Sequence, residues 1–224
     1  MLYVALGDSI TYGYCASSER ARYVNRVQAA LSKQERVNMF VRAKPGWTSR
    51  QLLKSLKDVP ECIWGEARLI TILIGGNDFL KAMPWLIDGN RGRLLRVGGQ
   101  VQENLTQIVH TVRSPQTTVI LGTMYNPFPN SLVAQECIDT LNQVICHVAT
   151  REHLILADVR NRYFGNEHLF VDCYKQGRLR DFRIRNNPIH PNDKGHEAIS
   201  RVFLAAYRKS LVQTRRTARR SKTR

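Results

Sequence analysis

The 224-residue chain contains no apolar run long enough to span a bilayer as a helix. Acidic residues are scarce, with 18 Asp and Glu against 34 Lys and Arg, giving a net charge of +16. That balance excludes an acidic, solvating chain and favours anionic partners. The five cysteines (Cys15, Cys62, Cys137, Cys146 and Cys173) are odd in number and form no CxxC pair, so neither a disulfide framework nor a zinc site is expected. The opening stretch, MLYVALGDS, has no basic n-region followed by an apolar core and a cleavage site. A cytoplasmic protein with reduced thiols is expected. No internal repeat is present, and the one low-complexity stretch is TRRTARRSKTR at 214–224, with six basic residues and no acid. The expectation is a single folded domain over 1–212 and a basic, disordered tail over 213–224. The tail lacks interleaved aromatics, which argues against nucleic acid and leaves peripheral contact with an anionic membrane as its partner reading.

What is present is an alternation. LYVAL (2–6), VNMFVRA (37–43), RLITILIG (68–75), TTVILGT (117–123) and LILADV (154–159) read as strands. The third is almost continuously apolar, as in a parallel strand buried on both faces. Between them, residues 19–33, 48–57, 101–113 and 131–150 carry apolar positions at helical spacing, and 193–211 closes the chain likewise. On 131–150 the inward positions are Leu132, Val133, Cys137, Leu141, Val144, Ile145 and Val148, which makes Cys137 a buried thiol. Thr48 is the expected N-cap of the second helix. Strand and helix alternate about five times, which implies an α/β fold with a parallel sheet and helices on both faces. In such sheets ligands bind beyond the C-terminal ends of the strands.

Those ends carry the chemistry. GDS follows the first strand, KPGWT the second, GGND the third and MYNPFP the fourth. A serine just past a strand, at the start of a helix, is exposed at the sheet edge. Its own N–H, the bare backbone of Gly46 and the side-chain amide of Asn77 together make a three-donor oxyanion hole. Each residue alone is also an ordinary cap or turn residue.

The combination of GDSITYG (7–13), PGWT (45–48), GGND (75–78) and HPN (190–192) resembles the GDSL, or SGNH, serine hydrolases over roughly residues 2–210. The resemblance implies a flavodoxin-like SGNH hydrolase fold, a three-layer α/β/α sandwich around a five-stranded parallel sheet. It also implies an esterase or lipase that hydrolyses carboxyl esters through a seryl-acyl intermediate, without metal or organic cofactor. Ser9 is then the nucleophile and His190 the base, with Ser9, Gly46 and Asn77 as the oxyanion hole.

The third member departs from that pattern: Asn187 stands where the family places an aspartate, three residues before the histidine. Three readings remain open. Asn187 orients His190 through its carbonyl, which supplies no negative charge. Alternatively another carboxylate reaches His190, with Asp172, Asp181 and Asp193 unranked. Or Asp193 and His196, which repeat the DxxH spacing, form the pair. The HPN context favours His190, leaving His196 as a surface residue at the start of the last helix. Asp8 and Asp78 are expected to accept loop N–H groups. His110, His147, His153 and His168 are given structural roles.

Residues 79–99 look long and irregular, with an apolar half (Phe79, Leu80, Met83, Trp85, Leu86, Ile87) and a basic half (Arg91, Arg93, Arg96). They are either a flap over an acyl pocket or an amphipathic helix capping the core. Asp8, Trp85, Tyr125 and Pro127 are the pocket candidates, with MYNPFP as the second wall. A lipid-like or simple acyl ester is the expected substrate. The alternatives are a carbohydrate O-acetyl ester, or a catalytically reduced protein that binds an anionic lipid or another partner.

Overall fold

The computed structural model describes the backbone of residues 1–86, 91–182 and 187–222, and their side chains except those of 84–86 and 213–222. Five strands, β1 Leu2–Gly7, β2 Asn38–Ala43, β3 Ala67–Leu73, β4 Thr118–Gly122 and β5 Ile155–Ala157, form one parallel sheet in the order β2-β1-β3-β4-β5. Around it, among the described residues, lie α1 Ser9–Tyr12, α2 Tyr23–Leu31, α3 Ser49–Leu56, α4 Glu61–Glu66, α5 Gly76–Leu86, α6 Arg91–Val112, α7 Leu132–Arg151, α8 Val159–Tyr163, α9 Glu167–Phe170 and α10 Asp193–Lys222. α2 and α10 pack together, with α10 also against β4 and β5. On the other side α3, α6 and α7 touch in series. The result is three layers, as the alternation implies.

The central strands are those with the longest apolar runs. Tyr3–Leu6 of β1 and Leu69–Leu73 of β3 are buried, whereas β2, at the sheet edge, is half exposed. The two polar groups that β1 and β3 bury satisfy each other: Tyr3 Oη lies 3.0 Å from Thr71 Oγ1. Register matters for the site. Gly7 stands level with Ala43 of β2 and with Leu73 of β3, so three strands end on one line and release their loops side by side. At Gly7 a Cβ would collide with the Thr11 side chain and the Leu73 carbonyl, so only glycine lets β1 turn directly into α1.

Thr48 caps α3 as expected, within a capping box that returns Gln51 Oε1 to the Thr48 N–H at 3.0 Å. Other expectations need correction. The helix expected at 19–33 is a 3₁₀ turn, Glu19–Ala21, then α2; Arg22, at φ −59° and ψ 139°, separates them. Of the two readings of 79–99, the helical one holds among the described residues, and these do not form an irregular linker. The helical spacing of Phe79, Leu80 and Met83 belongs to α5, and α6 begins at Arg91, ten residues before the expected start; 87–90 lie outside the described residues. Leu132, the first residue of α7, is exposed rather than inward, while Cys137 is buried as expected. The short α1, α4, α8 and α9, of four to six residues, carry too few positions for periodicity to reveal. The backbone of α10 runs on to Lys222, and the tail's side chains lie outside the described residues. Among the described residues, no helix is long and apolar enough to cross a membrane.

Candidate active site

Ser9 is the first residue of α1, immediately past β1, and is 7% exposed. Its Oγ lies 2.9 Å from His190 Nε2, bringing together residues 181 positions apart. Asp8, the N-cap of α1, fixes this turn: its Oδ1 accepts the Ile10 N–H at 3.0 Å. His190 is held by its neighbours' backbone. The Asp172 N–H donates to the His190 carbonyl at 2.8 Å, and the buried Tyr125 hydroxyl donates to the Ile189 carbonyl at 2.6 Å. The Tyr14 ring lies 4.5 Å from the imidazole, centroid to centroid. Burial, and secondarily His196, push the His190 pKa down to about 4, against an opposing pull from Asp172. At neutral pH the imidazole is therefore uncharged and able to take a proton from Ser9.

Asn77, at the first turn of α5, reaches both neighbouring strand ends. Its Nδ2 donates to the Trp47 carbonyl at 3.0 Å and to Asp8 Oδ2 at 3.3 Å. Lys81 Nζ donates to the Gly46 carbonyl at 2.9 Å, so α5 pins two successive peptide carbonyls of the loop after β2. Gly46 itself is exposed, at φ +79°, with open space where a Cβ would stand. Asp78 accepts the Ser49 N–H and hydroxyl at 2.8 and 2.7 Å, the structural role expected of it. Asp8 receives two donors that favour its carboxylate, but burial outweighs them and, with the nearby Asp78, pushes its pKa up to about 7.

The serine opens onto a cleft with about 630 Å³ of free space, mouth included. Asp8, Tyr125 and Pro127 line it, as expected; the Trp85 side chain lies outside the described residues. The other walls are largely apolar: Phe79, Leu80 and Met83 from α5, Met124 and Phe128 after β4, and Ile138 from α7. Cys137 was missed as a wall residue because an inward helical stripe does not distinguish a pocket from a core, and Ile138 because it stands beside that stripe rather than on it. Ile189 and Tyr14, also missed, sit beside recognised motif residues, and adjacency was their one signal.

The two histidines separate cleanly. His196 is not at the surface: it is fully buried, its Nε2 bonded to the Tyr14 carbonyl at 3.1 Å and its Nδ1 accepting the Tyr23 N–H at 3.4 Å. The first turn of α10 packs under α2, which is why a helix N-terminus is interior here. Asp193 turns away from it to the Ser17 N–H and hydroxyl, at 2.8 and 2.5 Å. Asn187 is close in sequence, yet its buried Oδ1 has no hydrogen-bond partner. Of the other histidines, His110 bonds Glu152 at 2.9 Å. Among the described residues no cluster of three or more His, Cys, Asp or Glu side chains is arranged to hold a metal ion.

The family model of GDSL-like lipases and acylhydrolases matches residues 5–198. The chain belongs to this family. Membership makes it a carboxylic ester hydrolase, and the match takes in Ser9, Gly46, Asn77 and His190. No curated protein matches the chain. Solved structures share the family's fold. The lipase Lip_vut3 from a goat rumen metagenome is 24% identical with a TM-score of 0.78, covering 92% of this chain and 97% of its own. A variant of Axe2, an acetyl-xylooligosaccharide esterase from Geobacillus, is 20% identical with a TM-score of 0.66, covering 92% and 93%. A member of the lipolytic G-D-S-L family from Veillonella parvula is 17% identical at 0.65, covering 92% and 98%.

Proposed function

We propose that this family member hydrolyses esters with an apolar acyl group, using Ser9 as nucleophile and His190 as base. The observation that carries the reading is the 2.9 Å contact between Ser9 Oγ and His190 Nε2 at the head of a largely apolar cleft. His190 Nε2 takes the Ser9 proton as Oγ attacks the acyl carbon. It returns that proton to the leaving alkoxide, and the acyl group stays on Ser9. Water, activated by the same imidazole, then releases the acid. The carbonyl oxygen, as it gains charge, is received by the N–H groups of Ser9 and Gly46 and by the Asn77 amide. Asp8 already takes the Ile10 N–H of this turn, which leaves that of Ser9 for the substrate. For Asn77 to join, its amide exchanges the longer of its two bonds, that to Asp8, for the substrate oxygen.

Methionine, leucine and phenylalanine walls suit an alkyl chain better than a sugar, whose hydroxyls would lose hydration there without replacement. Hydrolysis of p-nitrophenyl esters from acetyl to decanoyl tests both parts. The expected outcome is kcat/KM rising with chain length beyond acetyl, with Ser9→Ala and His190→Ala each falling at least about a thousandfold. Full activity in Ser9→Ala would sink the serine mechanism, and a sharp preference for acetyl would point instead to O-acetyl substrates.

A further inference from the structure

Among the described residues, no carboxylate is hydrogen-bonded to His190. Of the three aspartates that the sequence leaves unranked, two are committed elsewhere. Asp181 accepts the Gln176 and Arg178 N–H groups of its own turn, and Asp193 accepts both donors of Ser17. Asp172 has a different setting. Val171 and Pro191 form an antiparallel bridge, flanked by bonds from Asp172 N–H to the His190 carbonyl and from Asn192 N–H to the Phe170 carbonyl, at 2.8 and 2.9 Å. That pattern places Asp172 directly opposite His190 in a short ladder. Opposite residues of an antiparallel pair present their side chains on the same face, with Cβ atoms about 5 Å apart.

We infer that Asp172 is the positioning carboxylate of His190, supplied across this ladder instead of from the position three residues upstream. The inference rests on the Ser9–His190 reading above. Asp172 supports the imidazolium through its field, while Ser9 holds the other ring nitrogen. Its effect on His190 has the required sign, since Asp172 favours the charged imidazole whereas burial and His196 oppose it. The carboxylate is itself steadied by a thiol, Cys173 Sγ donating to Oδ2 at 3.3 Å, and the Cys15 thiol lies within reach of its charge. Burial and the Asp172 charge hold Cys15 protonated, its pKa pushed up to about 12, so it adds no second negative charge beside Asp172. The titratable and polar groups facing His190 are then Ser9 from α1, the Tyr14 ring from the following loop, His196 from α10 and Asp172 from the ladder. Asn187, with its unpartnered oxygen, contributes shape without charge.

The test compares Asp172→Asn, Asn187→Asp and the double variant by kcat, KM and the pH profile of kcat/KM, using p-nitrophenyl octanoate and short assays after a jump from pH 7. The expected results for Asp172→Asn are a loss in kcat of about tenfold or more with KM held, and an acidic limb displaced to lower pH. A merely structural role would not move that limb. Asn187→Asp alone gains less than about tenfold because the charge is already supplied, whereas in the Asp172→Asn background it restores kcat. An unmoved limb and kcat in Asp172→Asn overturns the inference. So does a tenfold or larger gain in Asn187→Asp alone, a comparison that stands even if Asp172→Asn does not fold. Ser9→Ala separates the two levels: if it stays active, the serine reading itself has failed, whatever Asp172 does.

Discussion

Asn77 shows how one side chain organises three strand ends. Its amide ties the loop after β2 to the turn after β1, through the Trp47 carbonyl and Asp8. Replacing it with alanine is expected to lower kcat by about 10²–10³, the usual loss for one oxyanion donor, with a smaller effect on KM. Single-turnover acylation of Ser9 checks this directly. His196 is expected to behave in the opposite way. In His196→Ala the Tyr14 carbonyl and the Tyr23 N–H lose their buried partner, at a cost of about 2 kcal/mol or more. Turnover measured well below the melting temperature should survive. Denaturant unfolding alongside steady-state kinetics separates the two effects. Ser9, Gly46 and Asn77 were legible because each belongs to a short motif at a strand end, and His190 because HPN, ahead of the last helix, completes the set. Residue identity did not announce the burial of His196, which depends on α2 crossing the start of α10, nor the place of Asp172, which depends on a two-residue ladder between segments that show no strand pattern.

At the scale of elements, α3 and α5 brace the loop that carries Gly46. The α3 capping box fixes Gln51, whose Oε1 also accepts Lys81 Nζ from α5 at 3.3 Å, and Lys81 in turn holds the Gly46 carbonyl. Thr48→Ala is expected to cost about 1 kcal/mol of stability, as the loss of an N-cap generally does, and thermal unfolding measures it. The Thr48 cap was readable in the sequence because a threonine just ahead of helically spaced apolar residues is a local signal. The α5 helix was readable only as one of two alternatives for residues 79–99. Its apolar spacing was visible, yet its start coincides with GGND, whose two glycines and Asn77 read as a turn. Tertiary packing overrides that preference: α5 packs on α6 and α7, and Phe79 is 2% exposed.

Over the whole molecule, buried titratable groups pull stability in opposite directions. The folded state holds His190 and His196 at pKa values of about 4, below the ordinary histidine value of 6.5, so the unfolded chain binds more protons between those limits. Their contribution is present above pH 6.5 and is lost as pH falls toward 4. Asp8, raised from 3.8 to about 7, does the reverse: its contribution is present below pH 3.8 and is lost as pH rises toward 7. Melting temperatures from pH 4 to 6.5 are therefore expected to rise less steeply with pH in His196→Gln and more steeply in Asp8→Asn than in the wild type. The layered sheet was readable from the alternation of apolar strands and amphipathic helices; these burial-driven shifts were not, because they arise only once Asp8, His190 and His196 share one interior. The claim on which everything else depends is that Ser9 is activated by His190. Treatment with an alkyl fluorophosphonate followed by peptide mass mapping tests it most directly. A single adduct on Ser9, formed at least about a hundredfold more slowly in His190→Ala, is the expected result. Labelling of another residue, or an unchanged rate in His190→Ala, would contradict it.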